Sequence, residues 1–270
     1  MTKYFIKIQL FILIISLFSC SNYNKLLKSN DSELKLSKAN EYYKKEKYDK
    51  AFPLLEELYT TYKGTSKGEE VYFNYAYCQY YLDDYFLASY HFRNFAKTYG
   101  SSEKAEEAFF MGSYCIYLNS PNFSLDQTYT YKAIEELQLF INYYPKSSRV
   151  DSCNVLIDKL RNKLETKSYK LSILYYNIED YKAALIALNN VIKDFPDTKY
   201  KEEIMYYMVK SSHLLAKNSI KEKKEERIKA TQKECVKFAK LYSNSKYLKE
   251  VNSILEEANK DLEKLQSINI

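Results

Sequence analysis

Apolar residues recur along this chain at helical intervals, and the same set of intervals is used several times. When Ala51, Ala88, Ala133 and Ala184 are aligned, four residues on stand Leu55, Phe92, Leu137 and Leu188. Seven on stand Leu58, Phe95, Phe140 and Val191, and eleven on Tyr62, Tyr99, Tyr144 and Phe195. The next position is Lys63, Gly100, Pro145 or Pro196. Offsets of four, seven and eleven put these side chains on one face of a helix, and the final position is where that helix stops. Tyr48, Tyr85 and Tyr181 precede their alanines by three residues, with Thr130 in that place in the third copy. A fifth, degraded copy reads Thr231, Cys235, Phe238 and Tyr242, then Ser243. Degeneration toward an end is expected where a repeat also caps a stack.

Twelve residues before three of the alanines lie Ala39, Ala76 and Ser172, small side chains placed where one helix must cross another closely. In the other copies the matching positions are Gly112, twenty-one before Ala133, and Ser211, twenty before Thr231. These imply extensions of nine and eight residues, the first at the turn-forming Asn119-Ser120-Pro121-Asn122. Paired helices with a small residue at the crossing and a helix-ending proline resemble the tetratricopeptide repeat, although tryptophan is absent and some copies lack the proline. The predicted fold is all-α: a tetratricopeptide-like α-solenoid of about five helix pairs plus a C-terminal helix. Its helices are expected at 31–46 and 49–63, 68–82 and 84–99, 102–117 and 128–144, 148–178 and 180–195, 199–217 and 222–242, then 246–265. No Gly or Pro interrupts Val150 to Tyr181, while Val155, Leu156, Leu160 and Leu164 continue an apolar stripe. This segment is expected to form one long strut joining repeats one to three, 31–147, to the rest, 148–270.

Composition agrees with helices. Only four glycines and four prolines occur and the hydrophobic set is 46% of residues, so long disordered linkers and a turn-rich β fold are poor fits. Thirty tyrosines and no tryptophan supply rings that pack sideways while keeping a hydroxyl near water. The formal charge of +6 is modest, and Lys and Arg alternate with Glu and Asp, which makes no continuous basic stripe for nucleic acid.

The N-terminus reads as an export signal. Lys3 and Lys7 precede Ile8–Phe18, eleven residues broken only by Gln9 and Ser16 and too short for a stable span, which needs about 20 apolar residues. Leu17, Ser19 and Cys20 resemble a bacterial lipobox, with Phe18 bulkier than that motif usually carries. Residues 1–19 are therefore expected to be a lipoprotein signal peptide, Cys20 the lipid-attachment residue and 20–30 a tether. Removing the signal lowers the charge to about +4. Ser21-Asn22-Tyr23-Asn24 has neither an aspartate after the cysteine nor an acidic run, which by resemblance to known sorting rules leaves the periplasmic face of an outer membrane.

Candidate chemistry is sparse. Cys78, Cys115, Cys153 and Cys235 are scattered, with no C-x-x-C and only two histidines, so no zinc site is expected. Export permits disulfides, but spacing does not pair these four, and three fall on predicted helices where a small apolar residue would serve. His91 lies three residues after Ala88 on a packing helix, and His213 stands beside no nucleophile or acid motif. Gly64-Thr65-Ser66-Lys67-Gly68 lacks the phosphate-loop spacing and a preceding strand, and reads as an inter-repeat turn. No catalytic residue, metal or cofactor is expected.

The export signal, some 250 mature residues, five repeats and the long helix between the third and fourth are together similar to the outer membrane protein assembly lipoproteins of the BamD (YfiO) family. The resemblance is carried by Tyr48-Asp49-Lys50-Ala51, Asp84 to Ala88, Phe95 to Tyr99, Phe140 to Pro145, Asp180 to Ala184 and Phe195-Pro196. It implies a non-enzymatic scaffold of the machinery that inserts β-barrels. The implied partners are unfolded barrel substrates at the N-terminal repeats and the periplasmic domains of a barrel-shaped central subunit at the C-terminal ones, with the membrane reached through the lipid anchor. The alternative is a lipoprotein scaffold for peptidoglycan-remodelling or cell-division factors.

Partner contacts are expected on the concave side of the first helices. Counting each repeat from nineteen residues before its alanine, places two, five, nine and twelve are Glu33, Leu36, Asn40 and Tyr43, then Glu70, Phe73, Tyr77 and Tyr80. Tyr43, Phe73, Tyr77 and Tyr80 would form an apolar groove for an extended, aromatic-bearing barrel C-terminus, unless they fill space between units. Tyr169, Tyr176 and Met208 mark the expected face for the barrel subunit.

Overall fold

The computed structural model describes residues 22–268, and the described residues are helical apart from turns and loops. Cys20 and the signal segment lie outside them. A short helix α1 (22–27) precedes α2 (Ser32–Lys44), α3 (Tyr48–Thr61), α4 (Ser66–Tyr81), α5 (Tyr85–Thr98), α6 (Ala105–Leu118) and α7 (Thr128–Tyr143). Then come α8 (Val150–Asn177), α9 (Tyr181–Asp194), α10 (Lys201–Lys217), α11 (Lys221–Leu241) and α12 (Leu248–Ile268). Each predicted helix is present, with ends displaced by a few residues.

The local signals that start and stop these helices are visible. Carboxylates of Asp31, Asp84 and Asp180 accept the amides of Leu34, Leu87 and Ala183, each satisfying a donor the helix leaves unpaired. At the other end Tyr62, Tyr99, Tyr144, Phe195 and Tyr242 are C-caps in all five copies, each amide bonding the carbonyl four residues back. The tight turns within repeats one, two and four use Glu46, Asp83 and Glu179 at φ 56°, 61° and 65°, a left-handed conformation that favours glycine. Gly64-Thr65 is a turn as expected, but Ser66 already opens α4. Gly68 is required there, since an added Cβ would lie 2.3 Å from the Tyr62 carbonyl oxygen.

The repeated face is the interior. Ala51, Ala88, Ala133, Ala184 and Thr231 are fully buried, as are Leu55, Phe92, Leu137, Leu188 and Cys235 four residues on. Each such leucine or phenylalanine contributes about 1.5–3 kcal/mol by leaving water. A further position repeats in the sequence: fourteen residues after the anchor stand Thr65, Ser102, Ser147, Thr198 and Ser245. Ser102, Ser147 and Thr198 donate to Glu69, Glu106 and Glu165 at 2.6, 2.5 and 2.5 Å, tying the turn after a second helix to an earlier first helix.

The crossing residues of the two extended repeats fall one position later than the sequence spacing implied. Gly112 faces α5, where a Cβ would meet Arg93 Cγ at 2.8 Å, whereas Ser113 reaches α7 and donates to the Glu136 carbonyl. In the last repeat Ser212, next to the expected Ser211, meets Thr231 at 3.1 Å across α10 and α11. The first extension is the loop between Leu118 and Thr128; the second lengthens α11 instead.

The chain forms two compact units. Unit 1 runs to Pro121 and takes in Asp126–Leu160; unit 2 comprises Asn122–Leu125 and Arg161 onward. Each stacks consecutive helix pairs in the tetratricopeptide manner, and α12 closes the second against α11 and α10. The division falls inside α8, because Cys153, Ile157 and Leu160 complete a core with Phe109, Leu137 and Phe140, while Tyr169 packs with Leu188, Val191 and Ile204.

Candidate partner-binding surfaces

In unit 1 the expected groove residues meet in an aromatic array. Phe73 is buried against Phe92 and Phe95, with the Lys104 ammonium 5.1 Å from its ring centre. Tyr77 is half-buried between Phe73 and Phe92, ring centres 5.0 and 4.8 Å away, and its hydroxyl donates to Glu107. Burial first and that carboxylate second push its phenol up. Tyr43 is half-buried against Tyr48, its phenol likewise raised by burial. Tyr80 sits between Tyr77, Tyr85 and Tyr114. Thus Phe73 belongs to the packing, whereas Tyr43, Tyr77 and Tyr80 are each half-buried, Tyr77 being the one enclosed between two rings and tied to a carboxylate.

The array continues past the residues read from sequence. Tyr80 meets Tyr114 at 6.5 Å, and Tyr114 stacks between Phe110 and Tyr117 with interplanar angles of 8° and 14°. Phe110 and Tyr114 then line an open cavity of about 380 Å³ with Asp151, Ser152, Val155 and Leu156. The signal was present as Phe110, Tyr114 and Tyr117, spaced along one face of a helix, but the extension in repeat three hid its register.

In unit 2, Tyr169 is buried and stacked on Tyr200 with centres 4.2 Å apart. Burial, and then a hydrogen bond to Glu203, push its phenol up. Met208 is buried in the same cluster. Tyr176 is half-buried against Tyr207, with the Lys210 ammonium 5.7 Å from its ring centre. Tyr169 and Met208 are therefore interior to the unit. The open apolar side chains of α8 are on its other face, where Leu171 and Leu174, with Ile178 just past the helix end, form an exposed stripe, and Ile186 is exposed on α9.

The remaining chemical groups are structural. All four described cysteines are free, buried and on helices, one more than the three expected. Burial pushes the thiols of Cys78, Cys115 and Cys235 up to about 12 and that of Cys153 to about 11, which keeps them protonated. His91 lies edge-on to Tyr72 and Tyr75; His213 is buried, 3.3 Å from Glu257. Among the described residues no group of three or more His, Cys, Asp or Glu could hold a metal ion, and no helix is long and apolar enough to cross a membrane.

Comparison with known proteins gives the family. No curated protein matches the chain. Among solved structures, the crystal structure of the P58(IPK) TPR domain aligns over 90% of this chain and 67% of that one, at 14% identity and a TM-score of 0.40. The family model YfiO, described as outer membrane lipoprotein, matches residues 29–228, well over half of the chain. The chain belongs to the YfiO family of outer membrane lipoproteins.

Proposed function

We propose that this non-enzymatic repeat scaffold is a subunit of the β-barrel assembly machinery that promotes folding and insertion of outer membrane proteins. Family membership supports the reading, and the observation that carries it is the aromatic surface running from Tyr80 through Tyr114 and Phe110 to an open cavity. Rigid aromatic rings give an extended partner large contact area with few rotatable bonds. In this reading the groove of Tyr43, Phe73, Tyr77 and Tyr80 extends onto α6, with Phe73 and Tyr77 supporting the rings that touch the substrate. The barrel subunit is held by unit 2, where Tyr176 keeps part of its ring open while Tyr169 and Met208 support it from inside, and where the exposed stripe of Leu171, Leu174 and Ile178 on the opposite side of α8 offers a second apolar surface.

The test uses the intact chain and a peptide ending in an aromatic residue with a free carboxylate. Replacing Tyr77 by Ala is a poor probe, since emptying a packed aromatic site costs about 3–5 kcal/mol of stability. Tyr80→Ala with Tyr114→Ala removes two half-buried rings and is expected to lower the thermal midpoint, leave a folded chain by circular dichroism and weaken peptide binding about tenfold or more. Unchanged affinity in the folded double variant would place the contact elsewhere. Detergent-solubilised membranes should yield a large outer membrane barrel with the wild-type chain; recovery of peptidoglycan hydrolases instead would favour the cell-wall scaffold.

A further inference from the structure

Unit 1 has a second apolar surface, on the side of its second helices. A cleft of about 520 Å³ lies between α5 and α7, lined also by Ile116 of α6 and Asn119, that helix's C-cap. Phe86, Leu87, Ser89, Tyr90 and Arg93 line one wall, and Tyr129, Lys132 and Glu136 the other. Phe86 and Tyr90 are 61% and 59% exposed, although α5 already buries Ala88, Phe92 and Phe95 on its inner face. The two exposed rings are therefore not needed for the core. Two exposed rings beside a cleft, rimmed by polar groups, leave apolar area that a partner side chain could cover.

The charges in the cleft restrict what can occupy it. Arg93 Nη1 lies 2.7 Å from Glu136 Oε2, and the guanidinium also covers the Phe109 ring at 4.1 Å, so this cation is already neutralised and packed. Lys132 is exposed and forms no ion pair among the described residues. An aromatic cleft thus carries one uncompensated positive charge at its rim.

We propose that this cleft docks a short segment of a partner protein that presents a large apolar side chain beside a carboxylate. The apolar side chain inserts between Phe86, Tyr90 and Tyr129, and the carboxylate meets Lys132. The Ser89 hydroxyl and the Asn119 amide supply polar partners for the segment's main chain. A lipid surface fits less well, because anionic membranes are recognised by clusters of roughly four to eight Lys or Arg residues. The site is separate from the Tyr80–Tyr114 surface and does not depend on which machine the scaffold serves.

The test measures fluorescence anisotropy of labelled octapeptides with the full chain. One peptide carries an adjacent Phe-Asp pair, one Phe-Lys and one Ala-Asp, and vesicles of anionic phospholipid are assayed alongside. The Phe-Asp peptide should bind most tightly. Lys132→Glu should weaken it about tenfold and reverse the preference toward Phe-Lys, and Lys132→Gln should weaken it without reversal. Phe86→Ser should weaken both Phe peptides, and the Tyr80→Ala, Tyr114→Ala variant should leave all three unchanged. Phe86 and Lys132 are exposed, so circular dichroism should match wild type. Equal binding of Phe-Asp and Phe-Lys, an unchanged Phe-Asp affinity in Lys132→Glu, or vesicle binding lost in that variant without peptide binding would each overturn the proposal.

Discussion

Thirty tyrosines in a chain without tryptophan acquire a reason once their hydroxyls are followed. Tyr62 donates to Glu33 at 2.8 Å, Tyr206 to Glu250 at 2.6 Å and Tyr77 to Glu107, each across two helices. The ring supplies apolar area and the hydroxyl a charge-assisted bond at the rim, which a phenylalanine could not make. The two histidines are the groups at this scale that respond to mild acid. Burial lowers the pKa of both His91 and His213 from 6.5, and for His213 it outweighs the attraction of Glu257. A depressed histidine pKa means the fold prefers the neutral ring, so this stability is present above about pH 6.5 and is lost as pH falls toward the folded values. Glu250 and Glu257 titrate below 4.5, and their contribution is lost only in stronger acid. Thermal melts should therefore show a lower midpoint at pH 5.5 than at pH 7.5, by about 2–4 °C for each kcal/mol lost. His213→Gln should reduce that difference. A midpoint independent of pH across this interval would show that neither histidine is held neutral by folding.

Helices were the most legible elements, because anchors such as Ala88, Phe92 and Phe95 repeat at intervals that only a helix brings together, and all are buried. Two features resisted the same reasoning. The crossing residues Ser113 and Ser212 were missed by one position, since an insertion whose length is unknown removes the fixed count that located Ala39 and Ala76. The spacing of first-helix positions marks a binding face but equally describes side chains that fill the space between repeats, so Phe73 and Tyr169 lie inside while Leu174 lies open. For α8 the apolar stripe spoke clearly, and its 28 residues are one helix. Pro53, half-buried in the second turn of α3, shows that one proline need not end a helix. Leu160 is fully buried in mid-helix, where proline removes a hydrogen bond, clashes with the preceding turn and empties the leucine site. Leu160→Ala should cost about 2–5 kcal/mol in denaturant unfolding. Leu160→Pro should cost about 3 kcal/mol more, or abolish folding. Equal stability of the two variants would show that α8 does not depend on continuity at this point.

At the scale of the whole molecule, an outer membrane lipoprotein of this family must separate its anchor from its binding surfaces. The lipid-bearing residue is proposed to be Cys20, which follows Leu17-Phe18-Ser19 at the end of the apolar stretch Ile8–Phe18. It lies outside the described residues, and the first helix pair begins only at Ser32, capped by Asp31. The repeat anchors and the tyrosines of the aromatic surface all belong to α2 and the elements after it. Cys20→Ala should therefore remove the acyl chains and nothing else. One acyl chain gives only marginal membrane affinity, of order 10⁴ M⁻¹, whereas several hold a protein stably, so loss of every chain should move the protein from the membrane to the soluble fraction. The released chain should keep its helical circular dichroism, its thermal midpoint and its affinity for peptides at the Tyr80–Tyr114 surface. Its assembly with a membrane partner should fall through lost local concentration rather than lost contacts, and should recover when the soluble chain is added in excess. Mass spectrometry of the wild-type chain decides the premise: an N-terminal peptide beginning at residue 20 with added lipid mass supports it, and an unmodified Cys20 ends it.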